Sequence, residues 1–266
     1  MSTQSLRLRW RHLSVRHKLM TLSLLPLLLV LPMLVAALVL WGSSAYDSLL
    51  ITKVRSDLAV AHGYFGRVLA EVGTGTQALA NSHTLHLALA AQEPLALQEE
   101  LAQARQRLDF DFVNLYALDG QLLSASWQKT ASEAAGTGTP MVPPDLTPAK
   151  QTGAQLQLLS QADLLALAPH LAPRLNIALI TTQGAAPRNR SVEDQALVML
   201  ASHAVTDAQG KPLAWLRAGV LLNQNLALID HINHIVYPAG SLPLGSVGTA
   251  TLFLDDVRIT TNVRLF

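Results

Sequence analysis

The chain divides into three stretches by the spacing of its apolar residues. The first, Leu19 to Trp41 (LMTLSLLPLLLVLPMLVAALVLW), has no polar face and no charge; Thr21 and Ser23 are its only hydroxyls. Its 23 residues make a helix of about 34 Å, enough to cross a bilayer core. The second stretch, Ser43 to about Ala91, repeats Leu50, Val54, Leu58, Ala61, Phe65, Leu69, Val72, Leu79, His83 and Leu87 mostly at three- and four-residue steps, the period of a one-sided helix. This pattern predicts a stem that continues the apolar helix without a boundary. Gly63, Gly66, Gly73 and Gly75 interrupt it and mark a kink or a close helix contact. Glu93-Pro94 then breaks the chain, and a second helix is predicted from Leu95 to about Leu108.

Beyond this the period changes. In DFDFVNLYAL, residues 109–118, Phe110, Phe112, Asn114, Tyr116 and Leu118 fall on one face at period two. Asp119-Gly120 and a second run, Gln121–Trp127, complete a hairpin signal. Residues 129–155, rich in Ala, Gly, Thr and Pro, read as a long loop or flap. Ser160 caps a short helix that ends near Pro169–Pro173, and a strand is expected over Leu175–Thr181. Two long apolar strands, Gln195–Val205 and Leu213–Leu222, are joined by a turn-rich connection. A helix follows at Asn225–Val236, then a last hairpin, Gly248–Leu254 and Val257–Leu265, around Asp255-Asp256. Helices followed by runs of strands indicate an α+β fold rather than a doubly wound sheet.

Charge gives these elements a direction. The total is +1, from 19 Lys and Arg against 18 Asp and Glu. Arg7, Arg9, Arg11, Arg16 and Lys18 all precede the first acid, Asp47. The N-terminal piece therefore carries +5, and the remainder, with 14 basic and 18 acidic residues, carries −4. A basic flank on one side of an apolar span places that side in the cytoplasm. Trp41 at the other end suits the membrane interface. A cleaved secretory signal, with Ser43-Ser44-Ala45 as its cleavage site, is the competing reading; its apolar region is typically about 7–15 residues, shorter than this one. The expected organisation is a cytoplasmic basic segment (1–18), a transmembrane helix of the bacterial inner membrane (19–41), stem and sheet (42–223) in the periplasm or extracellular space, and the start of a further module (224–266). The chain ends on an apolar strand, which suggests the N-terminal piece of a longer protein.

The layout and two local sequences resemble the Cache family of extracytoplasmic sensor domains. Ala204 to Pro212 (AVTDAQGKP) with Gly219-Val-Leu-Leu-Asn223 is similar to that family's core strand pair. Thr251 to Arg264 (TLFLDDVRITTNVR) is similar to the hairpin that opens its membrane-proximal module. The resemblance implies PAS-like modules on a membrane-anchored stem. It also implies a small-molecule ligand of unstated class, a homodimer, and two-component signalling through a sensor histidine kinase. A chemoreceptor, a diguanylate cyclase or a non-signalling scaffold are the alternatives. The kinase output domain it implies is not in this sequence, and no histidine sits in a phosphoacceptor box.

No catalytic motif emerges. The absence of cysteine removes thiolate chemistry and disulfides. The balanced charge argues against nucleic acid as a partner. No cofactor is expected, because neither Gly73-Thr-Gly75 nor Gly136-Thr-Gly138 is followed by the Lys-Ser/Thr of a phosphate loop. His231 and His234, and likewise His83 and His86, stand three apart without a third ligand at fixed spacing, so no metal site is assigned; His83 is expected to fall on the buried stripe. Asp255-Asp256 is read as turn chemistry.

For a ligand, the sheet offers Asn114, Tyr116, Trp127, Ser202, Trp215 and Arg217, with residues 129–155 as a cover. Arg217, inside LAWLRAGV, is the most suggestive, since a buried cation calls for an acidic partner such as a ligand carboxylate. An arginine on the solvent face of an alternating strand is the simpler expectation. Arg258 and Asn262, four apart, are expected to share a strand face and to line a second part of the site. The candidate ligand residues are thus Tyr116, Trp127, Trp215, Arg217, Arg258 and Asn262.

Overall fold

The computed structural model describes residues 15–128, 153–179, 191–242 and 246–263. Within it the chain forms two compact units, one up to Ala59 and one from Val60 onward. Helix α1, Val15–Ala80, contributes to both. In the first unit it is an apolar helix long enough to cross a membrane, with Pro26 and Pro32 inside it and with Leu27, Leu31, Leu34 and Leu38 exposed.

The second unit is α+β, as its period changes predict. Helix α1 stops at Ala80 because Ser82 starts a new one: its hydroxyl accepts the Leu85 amide at 3.3 Å. A short helix α2, His83–Ala91, follows, then α3, Pro94–Arg107, opened by Pro94 at its first turn. The stem is therefore broken within the stretch expected to be continuous. The break turns His83 to solvent rather than onto the buried stripe, and Leu85 takes the buried position.

Among the described residues, five antiparallel strands make the main sheet, in the order β2-β1-β7-β6-β3. They are β1 Phe112–Tyr116, β2 Leu122–Ala125, β3 Gly153–Leu159, β6 Ala196–Thr206 and β7 Pro212–Leu221. Between β3 and β6 lie helix α4, Gln161–Leu167, a 3-10 helix, Pro169–Arg174, and the two-residue strands β4, Ile177–Ala178, and β5, Val192–Glu193. Helix α5, Leu226–Val236, and the hairpin β8, Thr251–Leu254, with β9, Val257–Thr261, complete the unit. Asp255, with φ 56°, turns that hairpin, as expected of Asp there.

Three sequence expectations are corrected here. The flap ends before residue 153, since Gly153–Gln155 already belong to edge strand β3; residues 129–152 lie outside the described residues. Of the strand expected at Leu175–Thr181, the described part is Ile177–Ala178, because Pro169 and Pro173 favour a 3-10 turn that carries the chain to Arg174; Ile180 and Thr181 lie outside the described residues. Asn262 lies just past the end of β9 instead of sharing its face with Arg258.

The sheet is covered on both faces. On one, Val113, Leu115, Met199, Ala201, Leu216 and Ala218 pack with Val72 and Leu79 of α1, Leu85 of α2, and Leu97 and Leu101 of α3. Gly73 and Gly75 are the close contacts: a Cβ on Gly73 would lie 2.9 Å from Ala154 Cβ, and one on Gly75 would lie 3.1 Å from Phe110. Phe110 thus joins this side instead of the period-two face expected for it. Val257 and Ile259 of β9 are buried in the same cluster. On the other face, Phe112, Tyr116, Val198 and Leu200 pack under Leu164, Leu167, Leu171 and Leu175. Each fully buried leucine contributes about 1.5–3 kcal/mol, so both covers are firmly held.

Candidate functional site

The face under α4 carries a polar row in an otherwise apolar layer. Cross-strand register aligns Ala125, Asn114, Arg217, Ser202 and Gly153 from β2 to β3. Residues directly opposite one another share a face, so Asn114, Arg217 and Ser202 all point to the α4 side. The next row holds Tyr116, Trp215 and Ala204. Asn114 and Arg217 are 0% exposed, and Ser202 and Tyr116 are 1% exposed. Arg217 is therefore not on a solvent face, against the simpler expectation: the short helices after β3 cover that side of β7.

These side chains are held in definite positions. Arg217 Nε donates to Ser202 Oγ at 3.0 Å. Asn114 Nδ2 donates to the Leu167 carbonyl at 2.7 Å and to Tyr116 Oη at 3.0 Å. Trp127 Nε1 donates to the same Leu167 carbonyl at 3.1 Å. The last residue of α4 is thus pinned by two side chains from the β1–β2 region. Burial pushes the Tyr116 phenol up to about 12, with the Asn114 hydrogen bond and the nearby Arg217 opposing the rise. Burial likewise lowers Arg217 from the usual guanidinium range to about 10, with Tyr116 opposing. At neutral pH the face presents a neutral phenol beside a guanidinium cation.

A second cluster locks the cover to the sheet. Arg174, at the end of the 3-10 helix, donates to Asp111 Oδ1 at 2.6 Å, to the Leu221 carbonyl at 2.6 Å and to the Asn223 carbonyl at 3.1 Å. Asp111 Oδ2 accepts the Leu221 amide at 2.7 Å. His170 Nε2 lies 3.0 Å from the Asp111 carbonyl oxygen, and its ring stacks on Trp127 with centroids 6.3 Å apart.

Four of the six candidate ligand residues, Tyr116, Trp127, Trp215 and Arg217, come together on or beside this face. The other two lie elsewhere, Arg258 in the separate two-stranded sheet and Asn262 just past its end. Arg258 is exposed, with its guanidinium 5.9 Å from the Phe253 ring centroid. Asn262 Oδ1 accepts the Ala250 amide at 2.9 Å and so closes the base of the hairpin. The sequence does not single out Asp111 and Arg174, 63 positions apart, as partners, because nothing in either local pattern marks a contact made only by the folded chain. Among the described residues no group of three His, Asp or Glu converges as for a metal. His231 instead packs its ring against Tyr64, with centroids 5.0 Å apart.

Comparison with known proteins gives likeness of structure alone. No known protein family matches the sequence, and no curated protein does. Among solved structures, the chain is similar to the periplasmic domain of Vibrio cholerae LuxQ at 15% identity, with a TM-score of 0.47 over 80% of this chain and 79% of that one. The selenomethionine form of that domain gives 16% identity and a TM-score of 0.48, over 79% and 78%. The E. coli DcuS sensor domain gives 16% identity and a TM-score of 0.34, over 67% of this chain and 98% of that one.

Proposed function

We propose that residues 42–266 are the extracytoplasmic sensing region of a transmembrane signalling protein, with the basic N-terminus in the cytoplasm and a small-molecule ligand on the α4 face of the sheet. The observation that carries this reading is the buried row Asn114, Arg217 and Ser202 with Tyr116. Ligand sites combine apolar walls with a few placed polar groups, and this row supplies such groups in an apolar layer. Ligand on this face favours one packing of α4 and the 3-10 helix. Across the sheet, Val72 and Leu79 of α1 receive the change. A small shift of α1 then couples the site to the cytoplasmic side. Leu50, Val54 and Leu58, exposed at four-residue spacing, fit a stem that pairs with its copy in a homodimer. The output assigned is a histidine kinase, on the resemblance of Ala204–Asn223 and Thr251–Arg264 to Cache sensors; a chemoreceptor or cyclase uses the same input.

The test is a thermal-shift screen of the full chain in lipid nanodiscs against organic acids, amino acids, amines and polyols, repeated with Arg217→Met. The expected result is stabilisation by one chemical class and its loss in the variant. A scaffold predicts no response in either protein.

A further inference from the structure

One buried group on the α4 face is left without a hydrogen bond, and its identity says what kind of ligand completes the site. Asn114 is fully buried, and both N–H groups of its amide are spent, on the Leu167 carbonyl and on Tyr116 Oη. A backbone carbonyl can only accept, so the atom facing Leu167 is the nitrogen, which fixes the orientation of the amide. Its oxygen, Oδ1, then has no hydrogen-bond partner. Buried side-chain acceptors are normally matched, so this one marks a place for a donor that the protein does not supply.

The surroundings narrow that donor. Tyr116 Oη already accepts from Asn114 and stays protonated, so its own O–H remains to be given. Nδ2 and Oδ1 share one carbon, and Nδ2 touches Tyr116 Oη, so the unmatched acceptor and the phenol belong to one polar corner of the face. A hydroxyl suits both, since one oxygen donates to Oδ1 and accepts from Tyr116. An amide nitrogen can donate but cannot accept. An ammonium can donate, but it would sit beside Arg217, the cross-strand partner of Asn114, where a like charge is disfavoured.

We infer that the ligand of this face carries a hydroxyl group that docks between Asn114 Oδ1 and the Tyr116 phenol, and that the site discriminates against both the deoxy and the ammonium analogues. The inference rests on the sensor reading above and adds to it the chemical class of the ligand.

The experiment is titration calorimetry on the full chain in nanodiscs with matched triplets that differ in one substituent. The probes are propionate, lactate and alanine, and succinate, malate and aspartate. The hydroxylated member of the triplet that binds should bind at least about tenfold more tightly than its deoxy partner, the cost of leaving one buried acceptor unmatched. The ammonium member should be weakest. Asn114→Leu should erase the preference; if that variant does not fold, the comparison within wild-type triplets decides alone. Equal binding of deoxy and hydroxylated members would overturn the inference and leave Oδ1 to a resident water only, while the sensor reading would stand. So would an ammonium preference, or a preference kept by Asn114→Leu. Absence of binding by every triplet would overturn the sensor reading beneath it.

Discussion

Replacing Arg174 by Met tests how the cover of the sheet is held. The side chain makes three hydrogen bonds across the end of β7, to Asp111 Oδ1, Leu221 O and Asn223 O. Methionine keeps most of the volume and removes all three. Hydrogen bonds to charged groups are worth about 1.5–3 kcal/mol each when desolvated, but the Arg174 and Asp111 side chains are 26% and 22% exposed. Water therefore replaces part of what is lost, and Asp111 keeps its bond to the Leu221 amide. The net expectation is a loss of about 2–3 kcal/mol. Arg174→Lys should lose about half of that, because an ammonium cannot reproduce the planar fork that reaches three acceptors. The assay is urea unfolding of the full chain in micelles, paired with hydrogen exchange to locate the effect. Exchange should quicken in 169–175 and around Leu221–Asn223. A loss under about 0.5 kcal/mol, the level of an ordinary surface substitution, or faster exchange confined to other elements, would refute the clamp.

Other consequences are as direct. Gly73→Ala should destabilise by about 1–3 kcal/mol through overpacking against Ala154, whereas Gly66→Ala, with nothing within 4 Å of the new methyl, should stabilise by up to about 1 kcal/mol; urea midpoints for the pair check both signs. Burial, ahead of the opposing hydrogen bond from the Asp111 carbonyl, lowers the pKa of His170 from 6.5. The unfolded chain therefore takes up a proton before the folded one does, so stability is lost as pH falls below 6.5 towards the folded-state value. His170→Gln should flatten that slope in melting curves taken from pH 7.5 down to about 5. Because the chain has no cysteine, single thiols report topology cleanly: Gln209→Cys should react with a membrane-impermeant maleimide in spheroplasts and Ser5→Cys should not, and the reverse pattern would invert the orientation.

The elements legible in the sequence are those fixed by local rules. Helix α3 starts at Pro94, α4 follows the Ser160 cap, and β6 and β7 come within one residue of the apolar runs that predict them. Where local pattern and folded context diverge, the reading slips. Edge strand β3 alternates as Gln155-Leu156-Gln157-Leu158, but burial does not follow that pattern, since Leu156 and Leu158 are both substantially exposed while Leu159 is buried. The stem breaks at Asn81-Ser82 although its apolar spacing continues, since a cap bond outweighs a periodicity that α2 resumes in a new helix. For the candidate site, the composition of the strands pointed to Tyr116, Trp127, Trp215 and Arg217. Their burial depends on which face α4 covers, a tertiary fact that alternation along one strand does not encode. Arg258 and Asn262 illustrate the opposite case: four residues apart in sequence, they are separated by the end of β9, and Asn262 is used to close the hairpin.

Hydrogen exchange of the full chain, with and without the compound giving the largest thermal shift, tests the central claim most directly. Binding on the α4 face predicts new protection at 112–116, 161–175 and 214–221, with a smaller change at 72–80 of α1 across the sheet. Protection confined to 251–261 or to the exposed surface of α5, with β1 and β7 unchanged, would contradict it.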